Sequence, residues 1–446
     1  VQVTGEQAII EPTDRNRATL KHIYDAAIDA VRGESLIRSR SRLEENNWIY
    51  EHDGERISWP IDPAGAIVAI GAGKATASIL AGLEAVLGDR LDGGRAIIKQ
   101  GHGEALKRIE LREAGHPIPD ARGAAATAEM LEFLRDLGPH DNVFVALTGG
   151  ASALLVAPAD GITLAEKAHV TDILLASGAN ISEINTIRKR LSKVKGGHLL
   201  DAISPARSIT LMISDVPGND VAMIGSGPTY RDPSTPQEAL AILERYGVMD
   251  KMSAPILAAL RQPVDPAARI ADDRAEHVVL ADSHTSLAAA QSAASAMGYV
   301  TRIVDAHMHM DTHEAARRFA AEVRQVAERG GPPTVLLAAG ETTLKVTGSG
   351  RGGRNQEFAL VAAIALEGVV NAAILSSGTD GTDGPTDAAG AFADGSTIAR
   401  ARGAGISAPQ SLADNDSNSF FAALGDLHVT GPTGTNVMDL VIGVVN

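Results

Sequence analysis

The chain has 446 residues, enough for two domains, and 44% of them are hydrophobic, enough for sizeable cores. A formal charge of −15, from 40 basic and 55 acidic side chains, argues against a general binder of nucleic acid or anionic membranes, while leaving room for a local basic pocket. There is no cysteine, so disulfides and thiolate metal sites are excluded, and aromatic residues at 3% are too few for base-stacking platforms.

The first residues, Val1-Gln-Val-Thr-Gly-Glu6, have neither the basic nor the apolar region of a signal peptide, and no segment has the apolar length of a membrane span. A reduced, cytoplasmic protein is expected. Leu20, Ile23, Tyr24, Ala27, Ile28 and Val31 then form the apolar stripe of an amphipathic helix. Residues 35–62 are mixed and indicate no element. The run Ala66-Ile-Val-Ala-Ile70 has no polar break and suits a strand buried on both faces, as in a parallel α/β sheet. It leads into Gly71-Ala-Gly-Lys74, and residues 75–87 read as a helix. Further on come a strand at 95–99, a Gly/Pro connection Ala114-Gly-His-Pro-Ile-Pro119 and a helix at 122–137. A strand at 143–147 stops at Thr148-Gly-Gly-Ala-Ser152, and helices follow at 164–177 and 181–194. The strand 208–213 ends in Ser214-Asp-Val-Pro-Gly-Asn-Asp220, with Ile224-Gly-Ser-Gly-Pro228 soon after. This alternation predicts parallel βαβ units whose loops, after the strand C-termini, share a crevice.

Five prolines between 232 and 273 suggest an interdomain passage. A second alternation is expected from His277-Val-Val-Leu280: a helix at 285–296, a strand at 299–304, a helix at 313–328 and a strand at 335–338 ending in Gly340-Glu-Thr-Thr343. A strand at 371–377 opens into Gly378-Thr-Asp-Gly-Thr-Asp-Gly384, and 439–444 is the last strand. No short fixed period repeats, which counts against a solenoid.

Two constellations point to anion chemistry. In the turn at Lys74, glycines let a ligand approach the backbone, the helix start favours an anion, and the ammonium adds a full charge. Neither a G-x-G-x-x-G fingerprint nor a nucleotide P-loop is met: Thr76 stands at the third glycine, and Val68 and Ala75 occupy the P-loop positions. The second is Thr347-Gly-Ser-Gly-Arg-Gly-Gly-Arg-Asn-Gln-Glu357 before a helix at 358–366. A flexible loop carrying Arg351 and Arg354 would suit phosphate oxygens. Carboxylates that could serve as base or as Mg²⁺ ligands are Asp215, Asp220, Glu341, Asp380, Asp383 and Asp387. On helix 181–194, Arg188, Ser192 and Lys195 share a stripe, and Asn185, Arg188 and Lys195 aimed into the crevice would recognise a carboxylate. Thr148 to Ser152 misses the G-x-S-x-G of a nucleophile elbow, and His307, His309 and His313 read as surface residues rather than a metal site.

Taken together and in this order, these motifs resemble the class II glycerate 2-kinase family, whose C-terminal part is the MOFRL domain. The resemblance extends from about residue 15 to the end. It is carried by Gly71-Ala-Gly-Lys-Ala75, Gly115-His-Pro117, Thr148 to Ser152, Asn185 to Gly197, Ser214 to Asp220 and Ile224 to Pro228. Later come Gly340-Glu-Thr342, Gly353-Arg-Asn-Gln-Glu357, Gly378-Thr-Asp-Gly381 with Asp383-Gly384, Asn415-Asp-Ser417 and Gly431-Pro-Thr-Gly-Thr-Asn436. Thr148, Ala151 and Asn219 depart from the residues usual in the family.

The resemblance implies an α/β protein of two three-layer α/β/α domains with an active-site cleft between them. Residues 1–256 would form a Rossmann-like domain with a mainly parallel sheet, and 257–446 a MOFRL-like domain with a mixed sheet. It implies transfer of the γ-phosphoryl of ATP, with Mg²⁺, to the 2-hydroxyl of D-glycerate, with Lys74 and Arg354 as the catalytic pair. The nucleotide would meet Gly71, Gly73, Gly149, Gly150, Ser152, Ser214, Asp215, Pro217, Gly225, Ser226 and Gly227. The acid would meet Lys74, Asn185, Arg188, Lys195, Arg354 and Asp380, and the metal Asp215, Asp220 or Glu341. Neither nucleic acid nor membrane is expected as a partner, and a homo-oligomer stays open. The alternatives are an NAD(P)H-dependent hydroxypyruvate reductase, the family's older label, and a non-catalytic sensor of a phosphorylated acid.

Overall fold

The computed structural model describes residues 12–52, 54–263 and 274–446. The reading of residues 1–6 and the end of the proline-rich passage, 264–273, lie outside the described residues. Two compact units are present. The first holds Arg32–Leu280 with Gly434–Asn436; the second holds the described residues up to Val31, Ala281–Thr433 and Val437–Asn446. This division differs from a boundary at 256/257. The stripe of helix Pro12–Asp29 packs on the second unit's sheet, and strand Ala275–Ala281 pairs into the first sheet rather than opening a new alternation.

In the first unit, six strands lie in the order Ile109–Ala114, Gly93–Lys99, Ile67–Ala72, Asn142–Thr148, Arg207–Ile213, Ala275–Ala281, and the first five are parallel. Counted along the chain this is 3-2-1-4-5-6, the order of a doubly wound sheet. It reverses between Ile67–Ala72 and Asn142–Thr148, and ligands of such sheets bind outside the strand C-termini at that point. Both strands are buried along their whole length, as their unbroken apolar runs require. Val68, Ile70, Val143 and Val145 face Ala126, Met130 and Leu134 of helix Ala121–Leu134. On the other side, Phe144 meets Trp48 and Trp59 edge-on. Those indoles come from an antiparallel meander, Ser41–Glu44, Asn47–His52 and Glu55–Pro60, which with helix Gly33–Arg40 fills the stretch where no element was legible. A helical layer, Leu164–Ala176, Ile181–Arg190, Pro236–Arg245 and Ala254–Arg261, has its own apolar core.

The second unit has a mixed sheet in the order Val300–Met308, Thr334–Gly340, Asp439–Val445, Ala372–Gly378, Gly390–Asp394, Leu427–His428. Only the first pair is parallel. Side-chain alternation separates two apolar layers. Val335, Leu337 and Ala339 face helices Pro12–Asp29 and Ser283–Ala296, while Leu336 and Ala338 face Thr312–Arg329 and Arg354–Ala365. The unit is therefore three layers. Because Asp439–Val445 is antiparallel to both neighbours, the C-termini of Thr334–Gly340 and Ala372–Gly378 emerge on either side of Asp439, which lies opposite both Gly340 and Gly378.

Candidate active site

In the first unit the Lys74 turn lies at the sheet's reversal point. A Cβ on Gly71 would stand 2.4 Å from the Ala146 carbonyl oxygen. At Gly73 the backbone has φ +141°, and a Cβ would stand 2.1 Å from Thr148 Oγ1, so both positions require glycine. The turn is closed by the protein itself. The N–H of Gly73 donates to Ile97 O (3.1 Å), that of Lys74 to Gly149 O (2.9 Å) and that of Ala75 to Thr148 Oγ1 (3.0 Å). These three amides are bonded within the chain rather than turned to an anion, and Lys74 is the charged side chain at the turn. Its stem passes Gly150, where an added Cβ would sit 3.3 Å from Lys74 Cγ and 3.1 Å from His116 Nε2. Gly149 leaves the space taken by Asp215 and Asn436, whose side chains are hydrogen-bonded at 2.8 Å. Sequence reasoning did not single out Asn436 as a site residue; the strand order that brings it here is not local information.

Ser152 anchors a basic cluster. Its Oγ is 2.8 Å from Ser226 Oγ, and it accepts from Arg188 Nη2 at 3.0 Å and Lys195 Nζ at 3.2 Å. Lys195 also donates to the carbonyls of Ser152 (2.7 Å) and Leu155 (3.4 Å). Helix Ile181–Arg190 stops before Ser192, so Arg188, Ser192 and Lys195 do not share a helical stripe as expected; Lys195 returns to the site from the loop beyond. Asn185 is buried beside Arg188, 3.5 Å away, and the sulfur of Met223. Burial, with repulsion from Lys167 and Arg188, pulls the Lys195 pKa well below the usual lysine range. Gly225 and Gly227 hold left-handed conformations (φ +60° and +61°), and a Cβ on Gly225 would sit 3.1 Å from Ala151 Cβ. Ser214 Oγ accepts from Val216 N–H (3.2 Å), whereas Pro217 and Asp220 lie exposed on the outer part of that loop. Partnered by donors and a second hydroxyl, Ser152 is not set up as a hydrolase nucleophile.

In the second unit Arg354 opens helix Arg354–Ala365 rather than sitting in a flexible loop. Asp383 fixes that helix start, accepting from Asn355 N–H (3.1 Å) and Gln356 N–H (2.9 Å); burial pushes its carboxyl up to about 6 despite these donors. The glycine run before it lies against residues 414–416, through bonds such as Gly350 N–H to Asp414 O at 2.8 Å. Arg354 is held as a fork by the buried Asp439, Nε to Oδ2 at 2.5 Å and Nη2 to Oδ1 at 3.0 Å, and its Nη1 lies 2.8 Å from Glu341 Oε1. Asp439 also accepts from Asn355 Nδ2 (2.9 Å). Arg351 is exposed and donates to Pro385 O (3.4 Å). Asp380 is buried, and its carboxylate accepts from Thr382 N–H (2.9 Å). Asp387 is exposed, with no role assigned by these contacts.

Among the described residues no group of three His, Asp or Glu side chains is arranged to hold a metal. His313 Nε2 pairs with buried Glu357 at 2.9 Å, and His307 packs edge-on against His284. A Mg²⁺ arriving on nucleotide phosphates needs only one or two protein carboxylates. Asp215, half-buried beside Gly149, fits that requirement. Asp220 caps the Ala222 N–H (2.9 Å), and Glu341 is engaged by Arg354.

Residues 19–261 match the family described as a domain of unknown function, DUF4147, and residues 334–439 match the MOFRL family. A D-glycerate 2-kinase of Thermotoga maritima is 39% identical over 383 residues, covering 85% of this chain and 90% of the relative. An Agrobacterium vitis protein with a provisional hydroxypyruvate reductase name is 41% identical over 429 residues, covering 95% of this chain and 93% of the relative. The crystal structure of the Thermotoga maritima glycerate kinase superposes with a TM-score of 0.83 at 35% identity, covering 98% of this chain and 100% of that one.

Proposed function

This chain belongs to the glycerate kinase family and is an ATP-dependent kinase; we propose that it transfers the γ-phosphoryl of ATP to the 2-hydroxyl of D-glycerate, with Lys74 and Arg354 acting on the transferring group. The observation that carries this reading is the Lys74 turn. The amides of Gly73, Lys74 and Ala75 are bonded within the chain, and the turn sets the lysine at the place where doubly wound sheets bind ligands. Phosphoryl transfer asks mainly for positioned positive charge around oxygens that spread charge in the transition state. The Lys74 ammonium supplies one such charge. The Arg354 guanidinium supplies the other, pre-oriented by Asp439 so that little freedom is lost on binding. Arg188 and Lys195 hold an oxyanion of the bound ligands, and Asp215 is the carboxylate that would hold a nucleotide-borne Mg²⁺. When bound, that cation neutralises phosphate charge.

The reductase reading is disfavoured by geometry. Thr76, at the third glycine of a dinucleotide fingerprint, is buried with its hydroxyl 3.3 Å from Ala146 O. The acidic residues that would bind a ribose are also at the wrong end. Asp92 precedes strand Gly93–Lys99 and caps the Ile67 N–H at 2.8 Å, while Asp89 pairs with Arg108. A ribose would lie at the opposite, carboxyl end of that strand, where Lys99 stands. Incubation with ATP, Mg²⁺ and D-glycerate is expected to release ADP and form 2-phosphoglycerate, identified by ³¹P NMR. Oxidation of NAD(P)H by hydroxypyruvate without ADP release would reverse the assignment.

A further inference from the structure

A cavity of about 310 Å³ in the first unit is lined by Pro117, Ile118, Pro119, Val156 and Leu164 on its apolar side, and by Lys167, Arg188 and Lys195 with Ser152 on its polar side. Lys167 lies on helix Leu164–Ala176, is only 6% exposed, and its Nζ has no hydrogen-bond partner. Arg188 and Lys195 bond to Ser152, Asn185 and Leu155, all neutral groups. Lys189, by contrast, one residue from Arg188, has an acidic partner in Asp232 at 3.3 Å. Asp172, which is exposed, is the acidic residue among those lining the cavity, and among the described residues no ion pair joining it to the three cations is found.

Two buried ammonium groups and a half-buried guanidinium converging on one cavity, none of them ion-paired among the described residues, are costly to maintain, because each has lost hydration and repels the others. Burial, with Arg188 adding to it, pushes the Lys167 ammonium down to about 7, so the empty site already favours giving up charge. A bound anion relieves both costs at once. We propose that Lys167, together with Arg188 and Lys195, seats an oxyanion of the reacting pair in this cavity, either the carboxylate of the acid or a phosphate of the nucleotide, with the apolar wall taking the rest of that molecule. The inference rests on the kinase reading for the identity of the pair, though not for the existence of the seat. Lys167 is a binding residue that no sequence motif marks: it is one lysine in helix Leu164–Ala176.

The test uses the full chain and two variants, Lys167→Met and Lys167→Gln. Thermal-shift titrations with D-glycerate, ATP and inorganic phosphate are run beside steady-state KM values for D-glycerate and ATP. The wild type is expected to respond saturably to at least one of the three. Both variants should lose that response and raise one KM about tenfold or more, the loss of one charge-assisted hydrogen bond. A change confined to D-glycerate assigns the seat to the carboxylate; a change confined to ATP and inorganic phosphate assigns it to the nucleotide. A wild type that binds none of the three, or folded variants with unchanged titrations and KM values, overturns the proposal. Lys167-dependent binding without ADP release would leave the seat standing and defeat the kinase reading, while ADP release with KM values indifferent to Lys167 would do the reverse.

Discussion

Replacing Asp439 by asparagine keeps the shape of the group that orients Arg354 and removes its charge. The carboxylate is 2% exposed, takes a two-pronged contact at 2.5 and 3.0 Å and accepts a third bond from Asn355 at 2.9 Å. An asparagine keeps one acceptor oxygen but turns an NH₂ toward a guanidinium that can only donate. Breaking a fully buried ion pair from one side costs about 3–5 kcal/mol. The Arg354 side chain is 33% exposed and keeps Glu341 at 2.8 Å, so we expect about 1–3 kcal/mol of lost stability. The guanidinium is then held from one side only, by Glu341, and a misaligned charge should lower kcat by about ten- to a hundredfold. Glu341→Gln, at a half-exposed partner, should cost under about 1 kcal/mol. Urea denaturation and coupled ADP release measure the two effects separately. If Asp439→Asn loses stability but keeps the wild-type kcat, the residue holds the sheet together and does not position Arg354 for chemistry.

Two further outcomes follow from close packing and burial. Gly149→Ala would put a Cβ 1.8 Å from Asn436 Nδ2 and 2.1 Å from Asp215 Oδ2; we expect these side chains to be displaced, with kcat/KM falling about ten- to a hundredfold in an ADP-release assay. Unchanged kinetics would place the ligand elsewhere. The folded-state pKa of Lys167 is about 7, against 10.5 as its reference value. Below pH 7 both folded and unfolded chains carry the proton, and the folded state bears the whole cost of burying it. Between about 7 and 10 only the unfolded chain holds the proton, so wild-type stability climbs with pH relative to Lys167→Met. Urea midpoints at pH 6 and pH 9 should show the variant's advantage large at the lower pH and small at the higher one; an advantage independent of pH would mean that Lys167 does not titrate in this range.

The first unit was legible because its information is local. An unbroken apolar run, a glycine turn and a helix specify a βα unit, and repetition of that unit specifies a parallel sheet. The meander at 41–60 was opaque: its short strands are built around Trp48 and Trp59, which become core residues only against Phe144, about a hundred residues away. Arg354 was recognisable from its setting of glycines and polar residues, but its partner Asp439 was not. Asp439 merely begins an apolar strand, and its role comes from that strand's insertion between two others at the level of Gly340 and Gly378. Lys195 does not continue the helical stripe of Arg188: the helix ends at Arg190, and the loop beyond brings the ammonium to Ser152. Asp383 was one of several candidate carboxylates that the sequence could not separate; it caps the first turn of the helix that carries Arg354, the commoner role of an aspartate in a glycine-rich turn.

The most direct test is the single-turnover rate of phosphoryl transfer from ATP to D-glycerate in the wild type, Lys74→Ala and Arg354→Ala. Each variant is expected to remain folded and to lose about a hundredfold or more, the usual consequence of removing a charge aimed at a developing phosphoryl transition state. A folded variant of either residue that transfers phosphate at close to the wild-type rate would contradict the assignment of the pair.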